Sequence, residues 1–296
     1  MARAAGLLIL AGLPAGPALA WTEATRLRMI RDALKVSAPA LRSLLLYHEK
    51  DLTRGMIEPS AREGEEVHYQ HADDARGLAA EAIVREEDEI RSLLRSHRPL
   101  RRFSYEMGVL AHFVSDVNFP LNASSRDPRE PLYLEAYRSY VEKSLDKIPF
   151  VLDRNPSKEI EQGDIRGFVL ASARRAGKDY AFIGPAFKDD GTPTSPEALD
   201  ERSVPFGIAS LSYSCAVNDI VRIWGHLWKS VNGDQQGTPY LDAPPPEKAT
   251  IPAGVTRKKR SGAAKPAPGA SPTPGPSPTP GPPPAPESSP APAGRS

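Results

Sequence analysis

Leu110-Ala111-His112-Phe113-Val114-Ser115-Asp116-Val117-Asn118-Phe119-Pro120-Leu121-Asn122 is the stretch on which the reading of this chain turns. It sets a histidine and an aspartate four residues apart, just ahead of a proline. On a helix, side chains four apart share one face about a turn from each other, so an imidazole and a carboxylate can converge there on one cation. The same spacing arises where a helical histidine simply hydrogen-bonds an aspartate, so the pair alone leaves both readings open. Its surroundings carry the argument.

Helical periodicity runs outward from this stretch in both directions. Leu27, Ile30 and Leu34 repeat at helical spacing, as do Leu78 and Ala82, then Ile90, Leu93 and Leu94, then Met107, Leu110 and Val114. A last apolar helix runs from about Phe206 through Ile208, Leu211, Cys215, Val217, Ile220, Val221, Trp224 and Leu227 to Trp228. Pro39, Pro99, Pro120, Pro149 and Pro205 punctuate the pattern as element boundaries, and strand alternation is hard to find. The span from Trp21 to Asp242 suits one domain with a sizeable core. The expected fold class is all-α, a compact multi-helix bundle with functional side chains projecting inward from facing helices.

The two ends differ in kind from this middle. Residues 1–20 carry Arg3, an apolar run through Leu7, Leu8, Ile9 and Leu10, and a closing Ala18-Leu19-Ala20, the layout of a cleaved signal peptide. Pro14 and Pro17 interrupt that run, and a bilayer core asks for about 20 apolar residues, so no membrane span is expected there or in any later segment. A secreted or periplasmic protein beginning at Trp21 follows, without a lipobox cysteine. Residues 243–296 hold Pro244-Pro245-Pro246, the basic cluster Arg257-Lys258-Lys259-Arg260 and repeated Ser/Thr-Pro and Gly-Pro steps, the composition of an extended, disordered tail. The basic cluster is a solvated charge run or a point of contact with cell-envelope polymer.

Composition narrows the partners. Lys and Arg total 38 against 37 Asp and Glu, a net charge of +1, which gives no general pull toward nucleic acid or anionic lipid; any such contact has to be local. No specific nucleic-acid reader is expected. Cys215 is alone, cannot form an internal disulfide, and sits in the last apolar helix, where a buried and inert thiol is expected.

Trp21 directly after the signal, together with His112-Phe113-Val114-Ser115-Asp116-Val117-Asn118-Phe119-Pro120, resembles the zinc-dependent phospholipase C and S1/P1-nuclease superfamily. In that family the mature protein begins with a tryptophan whose amine and carbonyl bind zinc, and a central helix reads His-x-x-x-Asp-x-x-x-Pro-x-His. The resemblance covers the whole folded region and implies hydrolysis of phosphodiesters, phospholipid or nucleotide, with up to three zincs. His112 and Asp116 match the central helix, where the Asp bridges two metals, so Asp116 is the expected catalytic residue. His68, in Val67-His68-Tyr69, matches the loop histidine that precedes an aromatic residue, and the acidic ligand before it falls on Glu58, with Ser60 as the other occupant of that position. The implied ligand set is Trp21, Glu58, His68, His112 and Asp116, with one zinc held by His68, His112, Asp116 and Glu58. Trp21 is equally suited to be a packing anchor.

Departures from the family pattern are as informative. Arg26 stands where an early histidine joins the tryptophan, Asn122 replaces the histidine after the proline, and the His-x-x-x-Glu helix reads Leu134-Glu135-Ala136-Tyr137-Arg138. Asparagine is a poor zinc ligand and arginine repels a cation. Glu135 or Glu142 would partly substitute if turned inward, and otherwise belongs to a solvated helix face. Arg26 or Arg138, pointing inward, would supply positive charge for a phosphate where a zinc is missing. His71 is read as a surface residue or an alternative ligand, and His48, His97 and His226 lack partners at ligand spacing. Asp73-Asp74 reads as the acidic start of the following helix. Two functions are therefore expected: an exported zinc-dependent phosphodiester hydrolase, or a catalytically degenerate relative serving as a binding or envelope-associated module with at most one structural zinc.

Overall fold

Every regular element among the described residues is helical, apart from an isolated bridge between Phe187 and Pro193. The computed structural model describes residues 20–59, 64–96 and 98–236. The expected signal peptide up to Leu19, Ser60, His97 and the expected tail at 243–296 lie outside the described residues, as does all of the second of the chain's two units, Lys248–Ser296. The helices are α1 (Glu23–Val36), α2 (Pro39–Tyr47), α3 (Glu49–Ile57), α4 (Ala79–Arg95), α5 (Leu100–Val117), α6 (Glu130–Lys143), α7 (Lys158–Gln162), α8 (Ile165–Asp179) and α9 (Val204–Ser230).

Their starts follow from local chemistry. Thr22, Asp164 and Ser203 place a side-chain oxygen on an otherwise orphaned amide in the first turns of α1, α8 and α9. Pro39 opens α2 and Pro205 sits in the first turn of α9, where a missing N–H costs nothing; Pro99 caps α5. Pro120 opens a 3-10 turn, Pro120–Asn122, while Pro149 lies in irregular chain after the turn Leu145–Lys147.

Helix α5 is the axis of the bundle. Every residue from Met107 to Val117 is buried, and α3, α4, α8 and α9 pack around it. Helix α3 comes closest, because two glycines face each other there. A Cβ on Gly55 would lie 1.9 Å from the Tyr105 carbonyl oxygen, and one on Gly108 would lie 2.1 Å from that of Leu52. Helix α9 is tied on by the Trp224 indole, which donates to the Met107 carbonyl (3.1 Å), and by the Tyr213 hydroxyl, which donates to Asp32 of α1 (2.7 Å). Asp219 of α9 is fully buried yet satisfied by Asn118, Ser172, Arg175 and Arg222, which joins α5, α8 and α9.

Helix α9 corrects one expectation. Its region contains an 18-residue window with a mean hydropathy of 1.2, long and apolar enough by composition to cross a membrane. That window is 67% buried within the bundle, and the buried Asn218 and Asp219 on it are hydrogen-bonded to protein partners. The apolar run therefore covers the core.

Facing carboxyls of Glu86 on α4 and Glu106 on α5 make a buried like-charge contact that stability has to absorb. Burial, then the neighbouring Glu106, pushes Glu86 up to about 9. A carboxyl whose folded value lies above its unfolded one lends stability that is complete below pH 4.5 and is lost as pH rises toward that folded value. Glu86→Gln removes the charge and keeps the shape. In urea unfolding the variant should match the wild type near the unfolded carboxyl value and exceed it by on the order of 2 kcal/mol at mildly alkaline pH. A difference that does not grow with pH would contradict the shared-proton pair.

Candidate metal centre

His112 and Asp116 lie one turn apart on the face of α5 that looks toward the loop between α3 and α4. The close approach at Gly55 and Gly108 brings the Met56 carbonyl within 2.7 Å of His112 Nδ1. A carbonyl only accepts, so Nδ1 carries the proton and Nε2 turns its lone pair inward. His68 arrives from the 3-10 turn Glu65–His68, its backbone carbonyl held by the Asn122 side-chain amide at 2.7 Å. Three donor atoms then meet: His68 Nδ1 to Asp116 Oδ2 is 2.8 Å, His112 Nε2 to Asp116 Oδ2 is 3.1 Å, and His112 Nε2 to His68 Nδ1 is 3.1 Å. The residues are 3%, 0% and 0% exposed.

This donor set suits a metal ion. Tetrahedral zinc with bonds of about 2.0–2.1 Å separates its ligand atoms by about 3.3 Å, and the observed triangle is only a few tenths of an ångström tighter. His68 Nε2 is buried with no hydrogen-bond partner among the described residues, so the ring is held only through the nitrogen that faces the other donors.

The other oxygen of Asp116 is already taken. Arg26 is 2% exposed and donates from Nη2 to Asp116 Oδ1 (2.6 Å), from Nη1 to Ser115 Oγ (2.9 Å) and from Nε to the Trp21 carbonyl (3.2 Å). Burial opposes ionisation of Asp116, but the Arg26 guanidinium and the two imidazoles outweigh it and hold the carboxyl far below the usual range. Burial first, then Arg26, pushes His112 down, which keeps its ring neutral. A second metal bridged by Asp116 and bound to the Trp21 carbonyl does not fit, because a guanidinium occupies both contacts. Nor is Arg26 turned toward a phosphate site, since its donors meet protein acceptors.

The remaining expected residues go elsewhere. Trp21 lies beside the centre with its indole donating to the Ser115 carbonyl (2.8 Å) and its ring edge-on to Phe119, which is the anchor role. Glu58 ends α3 and is held by the Tyr105 hydroxyl at 3.0 Å and beside Arg54, so the structure does not bring it to the donor triangle. Leu134 packs on the core, Glu135 pairs with Arg138, and Glu142 is exposed. His71 is buried rather than on the surface, between the Tyr69 ring and Asp74. Asp73 and Asp74 do not begin a helix: α4 starts at Ala79, and the two carboxylates instead pair with Arg126 and Arg76. His226 lies beside Glu87 and Arg91, and Cys215 is half-buried with its thiol pushed up by burial. Sequence reasoning missed Met56 and Ser115, whose contacts come from helix crossing rather than from residue type; the glycines at 55 and 108 were the available signal.

A cavity of about 680 Å³ lies on the neighbouring side of α5, lined by Arg54, Glu86, Arg102, Tyr105, Glu106 and Phe113 among others. Phe113 also contacts the donor triangle, its ring centroid 5.5 Å from those of His68 and His112. None of the three ligating residues lines that cavity.

Removing one member of a buried ion pair strands the other, at about 3–5 kcal/mol. Arg26→Met should therefore destabilise the metal-free protein by about that much in urea unfolding, and adding Asp116→Asn should recover a large part of the loss. Strictly additive single and double variants would show that the pair is not coupled.

No family model and no curated protein sequence matches the chain. Two solved structures resemble it in fold. Alpha-toxin from Clostridium absonum aligns at a TM-score of 0.55 and 11% identity, covering 77% of this chain and 67% of the toxin. Alpha-toxin from an avian strain of Clostridium perfringens aligns at 0.54 and 11% identity, covering 74% of this chain and 66% of the toxin. The chain thus spans about two thirds of each toxin's length, and at that identity the likeness is one of fold. What this chain shares with the toxins is the fold, and in this chain that is an all-α bundle among the described residues.

Proposed function

We propose that this is an exported phosphodiester hydrolase of the zinc-dependent phospholipase C type that works with one zinc, on phospholipid headgroup esters ahead of nucleotide esters. The observation that carries the reading is the convergence of two imidazoles and one carboxylate with no fourth described His, Cys, Asp or Glu in the group. Structural zinc sites close with four protein ligands, whereas catalytic ones use three and leave a position open. The preference for phospholipid rests on the fold-level likeness and the family resemblance, and export rests on the N-terminal sequence.

Zinc held by His68, His112 and Asp116 would supply Lewis-acid polarisation of a phosphoryl oxygen and a water acidified toward neutrality. The chain's own residues do the rest. Arg26 keeps Asp116 ionised and fixes the direction of its free oxygen. Met56 fixes the His112 tautomer, and Asn122 holds the turn that carries His68. The positive charge of Arg26 stands where the family resemblance places a second cation, and it cannot exchange water.

One observation favours the second reading, a non-catalytic binding or envelope-associated module with at most one structural zinc: the donor set is at most 3% exposed, and Phe113 stands between it and the neighbouring cavity. Elemental analysis and phosphodiesterase assays on the protein beginning at Trp21, with an Asp116→Ala control, separate the two. The expected result is one zinc per chain, lost in the control together with hydrolysis of phosphatidylcholine or bis(4-nitrophenyl) phosphate. One zinc with neither ester cleaved would transfer support to the module, and no zinc in the wild type would overturn the hydrolase and leave the module without a metal.

A further inference from the structure

Helix α9 carries a glycine that its described neighbours do not explain. Gly55 and Gly108 sit where a Cβ would strike backbone, but a Cβ on Gly225, in the interior of α9, would meet no atom within 4 Å. Glycine inside a helix is destabilising relative to alanine, so bare backbone is kept there at a cost. Gly225 lines a groove of about 560 Å³ between α9, α2 and α7, whose apolar walls come from Ala38, Leu41, Pro156, Ile160 and Val221. The described chain ends in this groove. Asn232 adopts a left-handed φ of 57° just after α9, and the Gly233 amide donates to the Trp228 carbonyl (2.9 Å). The Trp228 indole then donates to the Asp234 carbonyl (2.9 Å), so the backbone has turned back along the last turn of α9, and Gln235 lines the groove itself. Gln236 is the last described residue, and the chain goes on as Gly237-Thr238-Pro239-Tyr240-Leu241-Asp242-Ala243-Pro244. Tyr240 is the only aromatic residue of 237–296.

We propose that residues 237–244 occupy this groove as a strap, their backbone crossing α9 at Gly225 and Tyr240 and Leu241 packing against Leu41, Ile160 and Val221. Reach and direction select this occupant. The α9 side of the groove, from Lys229 to Val221, is about 12 Å long at about 1.5 Å per residue, and about four extended residues cover that distance. A chain leaving Gln236 therefore arrives at the Val221 end with Tyr240. Adjacent side chains of an extended segment leave it on opposite sides, so Tyr240 and Leu241 meet two walls at once. Pro239 and Pro244 restrict the backbone before it docks and lower the entropy that docking costs. A separate peptide of the same chemistry would compete with a segment tethered beside the groove, whose effective concentration is on the order of millimolar. The inference does not depend on the proposed reaction, because His68, His112 and Asp116 lie outside the groove.

Limited chymotrypsin digestion of the full chain tests the strap, because the protease cuts after accessible Tyr and Leu. Gly225→Leu fills the groove from a helix position with room for a side chain, so it should keep the wild-type circular dichroism spectrum and speed cleavage after Tyr240 about tenfold. The double variant Tyr240→Ser/Leu241→Ser changes nothing in the described bundle and should empty the groove, raising the fluorescence of added anilinonaphthalene sulfonate about threefold. Adding Gly225→Leu to that variant should abolish the gain. Cleavage after Tyr240 in the wild type as fast as in Gly225→Leu would overturn the proposal. So would equal dye fluorescence from the wild type and the double serine variant, which would show a groove open to a separate ligand or partner. Both measurements read the groove without metal or turnover, so loss of the strap and loss of the proposed hydrolysis are separate results.

Discussion

A carboxylate with no exposure to water sits at the centre of this bundle, and the surrounding structure can be understood as what makes that tolerable. Taking Asp116 out of water costs several kcal/mol on its own. One oxygen is met by Arg26 at 2.6 Å and the other lies 2.8 Å from His68 Nδ1, while the His112 Nε2 lone pair faces that same oxygen at 3.1 Å. Each of those partners has to be delivered from a different part of the chain: Arg26 from α1, His68 from the loop before α4, His112 from α5 itself. The charge therefore fixes three segments relative to one another more tightly than apolar contact does, because a stranded charge is penalised where a shifted methyl group is merely repacked.

Backbone contact decides the chemistry of the second partner. Gly55 and Gly108 let α3 and α5 touch main chain to main chain, which no residue with a Cβ at either position would allow without displacement. The contact puts the Met56 carbonyl on His112 Nδ1, so the tautomer is settled by helix packing and not by the site's own acids. Burial and the nearby guanidinium then keep the ring neutral, with a lone pair available toward Asp116. In this way a sequence feature with no chemistry of its own, a glycine on each of two helices, prepares a ligand atom.

Much of the fold could be read from the chain, because periodicity and proline placement are local properties: α1, α4, α5 and α9 follow their apolar repeats, and Pro39, Pro99, Pro120 and Pro205 stand at starts of elements. His112 and Asp116 were legible for the same reason, being one turn apart on one helix, and His68 came only through the family resemblance. Glu58 was not legible correctly, since its fate is set by Tyr105, 47 positions away, whose hydroxyl holds the carboxylate. Asp73 and Asp74 have the composition of a helix start, but Arg76, Arg126 and Ser124 supply better partners than a helix end that begins only at Ala79. The Glu86 and Glu106 contact is invisible to any pattern along one helix, because it exists only where two helices face each other.

The exchange of a histidine for Arg26 also has an electrostatic logic that runs from the sequence departure to the site. An ordinary neutral residue in place of Arg26 would leave one oxygen of the buried Asp116 carboxylate uncompensated. A guanidinium answers that need with a charge that does not dissociate and five donors in a fixed fork. Four of its contacts are made within the protein itself, to the Trp21 carbonyl, the His112 carbonyl, Ser115 and Asp116. Because these acceptors take four of the five donors, the cation stabilises the fold around the donor triangle and is not turned to grip a phosphate. Under the proposed reading, the positive charge that a substrate phosphate would need would therefore have to come from an ion held by His68, His112 and the other oxygen of Asp116.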